Sequence, residues 1–282
     1  MRYQLLPLVW TAALIVSSHA AAQPITLRAA KAPASPAAWD EPAQASYTRN
    51  ANGTESYAID SALRIKTPNL PGTTAQGLIG FWVAKNTLIE KVQDKHGVDL
   101  SFGAQFNTAD DKDGAFLQLT LTGERDQVKD TKGSTLLLSA DFQSFERLNL
   151  GGCGRSDSKR CTFWNAQLAL YSNQALNPSK SIDGRSTGTQ LVVKVTSRPF
   201  PAEHGLHRLT FSVSGQLQND FDASGTRKKE HRNLYKAKAS WRFHTEEDTV
   251  KPSLSIERAT GSDILQGLEK QAFTKVAFGL QF

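Results

Sequence analysis

Over residues 235–244, Tyr235, Ala237, Ala239, Trp241 and Phe243 alternate with Lys236, Lys238, Ser240, Arg242 and His244. A period of two puts the apolar set on one face of an extended strand and the polar set on the other. The same alternation recurs along most of the chain. Leu209, Phe211, Val213 and Leu217 oppose Arg208, Thr210, Ser212 and Gln216; Val276, Phe278, Leu280 and Phe282 oppose Lys275, Ala277 and Gln281. Val98 to Phe106, Leu117 to Leu121, Leu136 to Phe142, Trp164 to Leu170 and Leu191 to Val195 repeat it. Gly, Asp, Asn, Lys and Pro fill the gaps, and no stretch longer than a turn or two has helical period. The fold class is all-β.

The pattern predicts about twelve strands, near 43–50, 54–66, 77–90, 98–107, 115–125, 134–147, 162–172, 188–198, 206–218, 233–245, 250–258 and 273–282. A soluble sandwich also alternates, so period alone does not choose between a wet and a lipid-facing sheet. Length does better, because strands of nine to twelve residues exceed the usual five or six and match what a tilted strand needs to cross a bilayer. Aromatic side chains mark the ends of apolar faces: Tyr235 against Trp241 and Phe243, and Phe163 and Trp164 against Tyr171. About eight residues at roughly 3.3 Å, tilted by about 40°, separate such pairs by roughly 20 Å, near the spacing of two interfacial girdles. An antiparallel up-and-down transmembrane β-barrel is the architecture expected. With both termini on one side, the connections near 91–97, 126–133, 173–187, 219–232 and 259–272 would lie outside.

The amino-terminal end fits export. Arg2, an apolar run from Leu5 to Val16 and the small residues Ala20, Ala21 and Ala22 read as a signal peptide over 1–22. About a dozen apolar residues fall short of a spanning helix. Residues 23–42, rich in Ala and Pro, read as an extended periplasmic lead-in, with the barrel over 43–282. In an oxidising compartment Cys153 and Cys161, the two cysteines of the chain, are expected to close a local disulfide. At the other end, Lys275, Ala277, Leu280 and Phe282 resemble the carboxy-terminal targeting signal of Gram-negative outer-membrane β-barrels, with Ala277 where Gly is commonest. That resemblance implies the cell outer membrane, contact with its lipid and lipopolysaccharide, and insertion by the barrel-assembly machinery.

In such a barrel the apolar face meets lipid and the polar face lines the lumen. Lys194, Arg198, Arg208, Lys236, Lys238, Arg242 and Lys275 would then cluster on the later strands, with Asp99, Glu124, Asp141 and Glu257 elsewhere. A segregated lumen favours anions on its basic wall, so a channel or transport component for small anionic solutes is the function expected. A formal charge of +6 agrees in sign. Two other readings stay open. One is a lipid-modifying barrel enzyme of the phospholipase or deacylase kind, against which His96, His204, His207, His231 and His244 all lack a Ser two positions on. The other is a non-conducting scaffold that docks a periplasmic partner through residues 23–42.

No catalytic residue, cofactor or metal site is expected. Asp220, Asp222, Ser224 and Gly225 have the spacing of half an EF-hand loop, but its twelfth position is His231. The basic run Arg227, Lys228, Lys229, His231 and Arg232 could meet lipopolysaccharide phosphates. Its cations and the others are spread over many strands without interleaved exposed aromatics, which argues against nucleic acid.

Overall fold

The computed structural model describes residues 25–28, 43–50, 53, 55–87, 93–107, 114–128, 130–144, 161–176, 183–201, 204–243, 250–263 and 268–281. Among these, every regular element is a strand. They are β1 (Ile25–Arg28), β2 (Ala43–Asn50), β3 (Glu55–Lys66), β4 (Gln76–Asn86), β5 (Gln93–Asn107), β6 (Gly114–Asp126) and β7 (Thr131–Ser144). There follow β8 (Cys161–Leu176), β9 (Gly184–Arg198), β10 (Leu209–Ala223), β11 (His231–Arg242), β12 (Lys251–Asp263) and β13 (Leu268–Gln281).

Each strand from β2 to β13 pairs antiparallel with the next, and β13 pairs back onto β2, Phe273 opposite Asn50 through Leu280 opposite Ala43. That last pairing closes a twelve-stranded barrel. Closure leaves no free edge, which a sheet in hydrocarbon requires because nothing there can satisfy an open row of N–H and C=O groups. The thirteenth strand lies within the stretch expected to be a lead-in. β1 pairs with β3, Ile25 opposite Ile65 and Arg28 opposite Ala62, while β2 covers β3 only from Glu55 to Asp60. Four residues were too few to show a period in the sequence; what fixes them is the bare half of β3.

The distribution of polarity is the reverse of a soluble protein's. Leu100, Leu119, Leu138, Leu170, Val213 and Phe278 are among many large apolar side chains left exposed. Asp141 is 0 % and Glu257 2 % exposed, and Gln118, Asn165, Gln167 and Gln218 are buried as well. Leu119 illustrates the geometry: it stands between Leu117 and Leu121 on its own strand and opposite Phe102 of β5 and Leu138 of β7, all exposed. Water would expel such a belt, and a hydrocarbon surround accepts it. On β5 the belt runs from Val98 to Phe106, about 26 Å along the strand and about 20 Å once tilted by roughly 40°. The outer surface is a membrane-crossing one.

Two expectations need correction. The strands reach 15 or 16 residues in β5, β8, β9 and β10, longer than nine to twelve. The extra length lies at the loop end away from the termini, where apolar alternation is broken by polar outward residues, Phe221 and Leu176 excepted, but backbone pairing continues: Gln218 still faces Arg232 and Asn219 faces His231. Tyr171 is also not an interfacial aromatic. It is 1 % exposed and lies on the interior face, since Leu168 and Leu170 already take the outward positions of β8. Tyr235 and Phe243 are exposed and Trp241 half-buried on the outer face.

Candidate functional site

The polar interior is the candidate site, and its charges come from fixed register positions. Lys194, Arg198, Arg208, Lys236, Lys238, Arg242 and Lys275 are all half-buried. Ser214 of β10 stands opposite Lys194 on one side and Lys236 on the other. Lys238, Glu257 and Lys275 form one cross-strand row over β11, β12 and β13. In that row Lys275 Nζ lies 3.6 Å from Glu257 Oε1 and donates to Gln44 Oε1 at 2.9 Å. Arg198 and Arg242 end their strands on the side of the termini, where Arg208 donates to the Phe243 carbonyl at 3.4 Å.

The facing strands carry the acids, each held by a neighbour. Asp99 accepts from Trp82 Nε1 at 3.1 Å and Thr122 Oγ1 at 2.8 Å. Buried Arg64 stands two strands over, on β3, with Gly80 of β4 between it and Asp99 in register. Glu124 meets Lys95 at 3.2 Å. Asp141 accepts from Gln167 at 2.6 Å; Gln190 donates to Gln167 at 3.4 Å and Gln218 to Gln190 at 2.9 Å. These amides form one hydrogen-bonded row from β7 to β10. Such side chains are buried because they pack against one another across a closed wall, and their hydrogen bonds offset the cost of leaving water.

A second cluster, at the loop end, went unread in the sequence. Asp220 accepts from Tyr171 Oη at 2.6 Å, from Arg232 at 2.7 Å and from the Glu230 N–H at 3.2 Å. Arg232 also meets Glu230 at 3.0 Å. The Tyr171 ring crosses the wall over Gly188, where a Cβ would stand 2.6 Å from the phenol oxygen and would strike the Asn219 carbonyl. The 224–230 connection is fastened to the start of β9. Thr226 N–H donates to the Asp183 carbonyl at 2.7 Å, Asp183 N–H to Thr226 Oγ1 at 2.8 Å, and Ser224 N–H to the Arg185 carbonyl at 2.9 Å. Gly184, at φ +136°, lets the two segments touch. Arg227 then reaches inward, donating to Asn173 Oδ1 at 2.7 Å and its carbonyl at 3.2 Å, while Asn173 donates to Thr135. Burial lowers the Arg227 pKa from its ordinary value, the nearby Arg232 adding to the effect. Asp220, whose spacing with Asp222 lacks the rest of a calcium loop, is the acceptor of this cluster.

Cys153 lies outside the described residues; Cys161 opens β8, and the proposed bridge is not described. Lys275, Ala277 and Leu280 sit on β13, with Ala277 buried, and Phe282 lies outside the described residues. So do residues 1–24 and the 145–160 connection. His204 and His207 belong to the turn before β10, where the Leu206 N–H donates to His204 Nδ1 at 3.2 Å. Among the described residues no three His, Cys, Asp or Glu side chains gather as metal ligands would.

No protein-family model and no curated protein matches the chain. Solved structures do. The NanC porin aligns at 7 % identity over 84 % of this chain and 98 % of its own, with a TM-score of 0.46. The translocator domain of the autotransporter NalP from Neisseria meningitidis aligns at 10 % identity over 98 % and 95 %, TM-score 0.46. An outer membrane channel from Pseudomonas putida F1 aligns at 8 % identity over 94 % and 97 %, TM-score 0.46. With overlap of that order, the functional argument rests on this chain's own interior.

Proposed function

We propose that the protein is an outer-membrane channel that passes small anionic solutes along a basic wall. The observation that carries this reading is the segregation of interior charge. Lys194, Arg198, Arg208, Lys236, Lys238, Arg242 and Lys275 lie on β9 to β13 and the β9–β10 turn, while Asp99, Glu124 and Asp141 lie on β5 to β7. Cations side by side across a low-dielectric wall raise the local concentration of anions, and an opposing acidic wall orients a solute that carries hydroxyl or amine groups as well. Glu257, between Lys238 and Lys275, offsets part of the basic row, and Lys95 and Arg64 offset part of the acidic wall, so the bias rests on the number of cations over β9 to β13. An outer-membrane position follows from the exposed apolar belt together with the carboxy-terminal resemblance, and the exposed cations Lys228 and Lys229 would face lipopolysaccharide.

The test is single-channel recording of the refolded mature protein in planar bilayers with asymmetric salt. Wild type should show an anion-selective reversal potential, and replacing Lys194, Lys236 and Arg242 by Glu should reverse its sign. An unchanged reversal potential in the triple variant would sink the basic-wall reading. Stable insertion without current would turn the argument to a plugged scaffold.

A further inference from the structure

Arg232 and Arg227 flank the same mouth of the barrel but differ in what holds them. The Arg232 charge is met by two carboxylates, Asp220 and Glu230. Arg227 is held by a neutral amide: one terminal nitrogen of its guanidinium donates to both oxygens of Asn173, and its Nε is buried with no hydrogen-bond partner. No carboxylate among the described residues forms an ion pair with it. A guanidinium has five N–H donors in a planar fork; with Nε enclosed and one terminal nitrogen on Asn173, the second terminal nitrogen is the one left for a solute.

Its position is built rather than incidental. The donor–acceptor pairs between Asp183 and Thr226 fix the residue immediately before it. Asn173, in turn, is oriented by its hydrogen bond to Thr135 on β7. The side chain thus extends from the β10–β11 connection across β9 to β8, with Arg232 and the carboxylates of Asp220, Glu124 and Glu230 within electrostatic range. It overhangs the interior at the end through which a solute arriving from the loop side must pass.

From this we infer that Arg227 is a specificity-determining residue of the channel, a fixed guanidinium that pairs with a carboxylate or phosphate of the entering solute at the loop-side mouth. The inference rests on the anion-channel reading and adds to it a named contact and a direction. A charge-assisted, directional guanidinium contact favours carboxylate or phosphate oxygens over chloride of equal charge. The basic wall beyond would then receive a solute already oriented with its anionic group foremost.

The probe is citrate, a multivalent carboxylate, used as a blocker of chloride current and added to each side of the bilayer in turn. Arg227→Gln should raise the concentration needed for half block from one side by about tenfold, the loss of one charge-assisted contact, and change it little from the other. Lys229→Gln removes the same charge from the same loop at an exposed position and should shift block by less than about twofold, as diffuse field alone would. Arg227→Lys should fall between, keeping the charge and losing the fork. Band shift of unboiled protein on gels checks that each variant has folded. Equal effects of Arg227→Gln and Lys229→Gln in an anion-selective barrel would overturn this inference and leave the channel reading intact. A wild-type barrel without anion selectivity would overturn both.

Discussion

Leu119→Arg tests the membrane reading at its centre. Leu119 lies mid-strand on β6, flanked by exposed Leu117 and Leu121 and faced by exposed Phe102 and Leu138. Every neighbour within reach on the outer face is apolar, so an arginine there has no partner and sits at the middle of the belt. The cost of Arg on the lipid face of a barrel is about 2–4 kcal/mol at the midplane and falls to about 0–1 kcal/mol near the interfaces. That is roughly a 30- to 1000-fold loss in the folding equilibrium. Val128→Arg supplies the comparison, since Val128 is just as exposed, 53 % against 47 %, but belongs to the turn after β6. It should cost no more than about 0.5 kcal/mol, the range for a surface substitution in water. The assay is reversible urea unfolding from phospholipid vesicles, followed by tryptophan fluorescence. Equal stabilities for the two variants would refute the argument, because exposure in water would then explain both.

Three further outcomes follow from the interior and the seam. Tyr171→Phe takes one donor from buried Asp220 and should lower stability by about 1–3 kcal/mol, measured by the same titration; no change would mean that Arg232 and the Glu230 N–H satisfy the carboxylate unaided. Gly188→Val puts side-chain atoms where the Tyr171 phenol and Asn219 carbonyl lie, and should yield little folded protein by gel band shift, whereas Gly205→Val, where a Cβ meets open space, should fold normally. Deleting residues 23–28 uncovers the β1-facing edge of β3 from Ala62 to Ile65. The truncated barrel should unfold at lower urea than wild type, and identical midpoints would show that β1 adds nothing to the wall.

Period-two alternation carries no information about where a ladder ends, and that explains what could and could not be read in advance. Runs such as Leu117–Leu121 and Val276–Leu280 declare a lipid-facing strand because every second residue is apolar. Above the belt, Asn219 and His231 are polar on the outer face as well as the inner, so the pairing of β10 with β11 continues through sequence that looks like loop. Tyr171 ends an apolar run as an interfacial aromatic would, but its odd-numbered place beside Leu168 and Leu170 puts it on the interior face. Asp99 and Asp141 were legible as inward from alternation alone. Arg64 alternates with Leu63 and Ile65 and shares its face with Asp60 and Lys66, but its companion Asp99 comes from two strands away, which no local pattern shows. Arg227 is invisible in principle at that level, since its inward course depends on Asp183 and Asn173, more than forty residues earlier.

The shared edge of β3 has a practical corollary. β2 and β1 together occupy the place of one strand, and in the register of β2, where Gln44 faces Asp60, residue 42 would face Ala62; Arg28 does instead. The two strands therefore share one edge of β3 end to end, and the cylinder is finished by the four residues Ile25–Arg28. An affinity tag or reporter fused there would compete with the final stave for its slot, so labels belong in the connection between β6 and β7, where the chain already turns in the open.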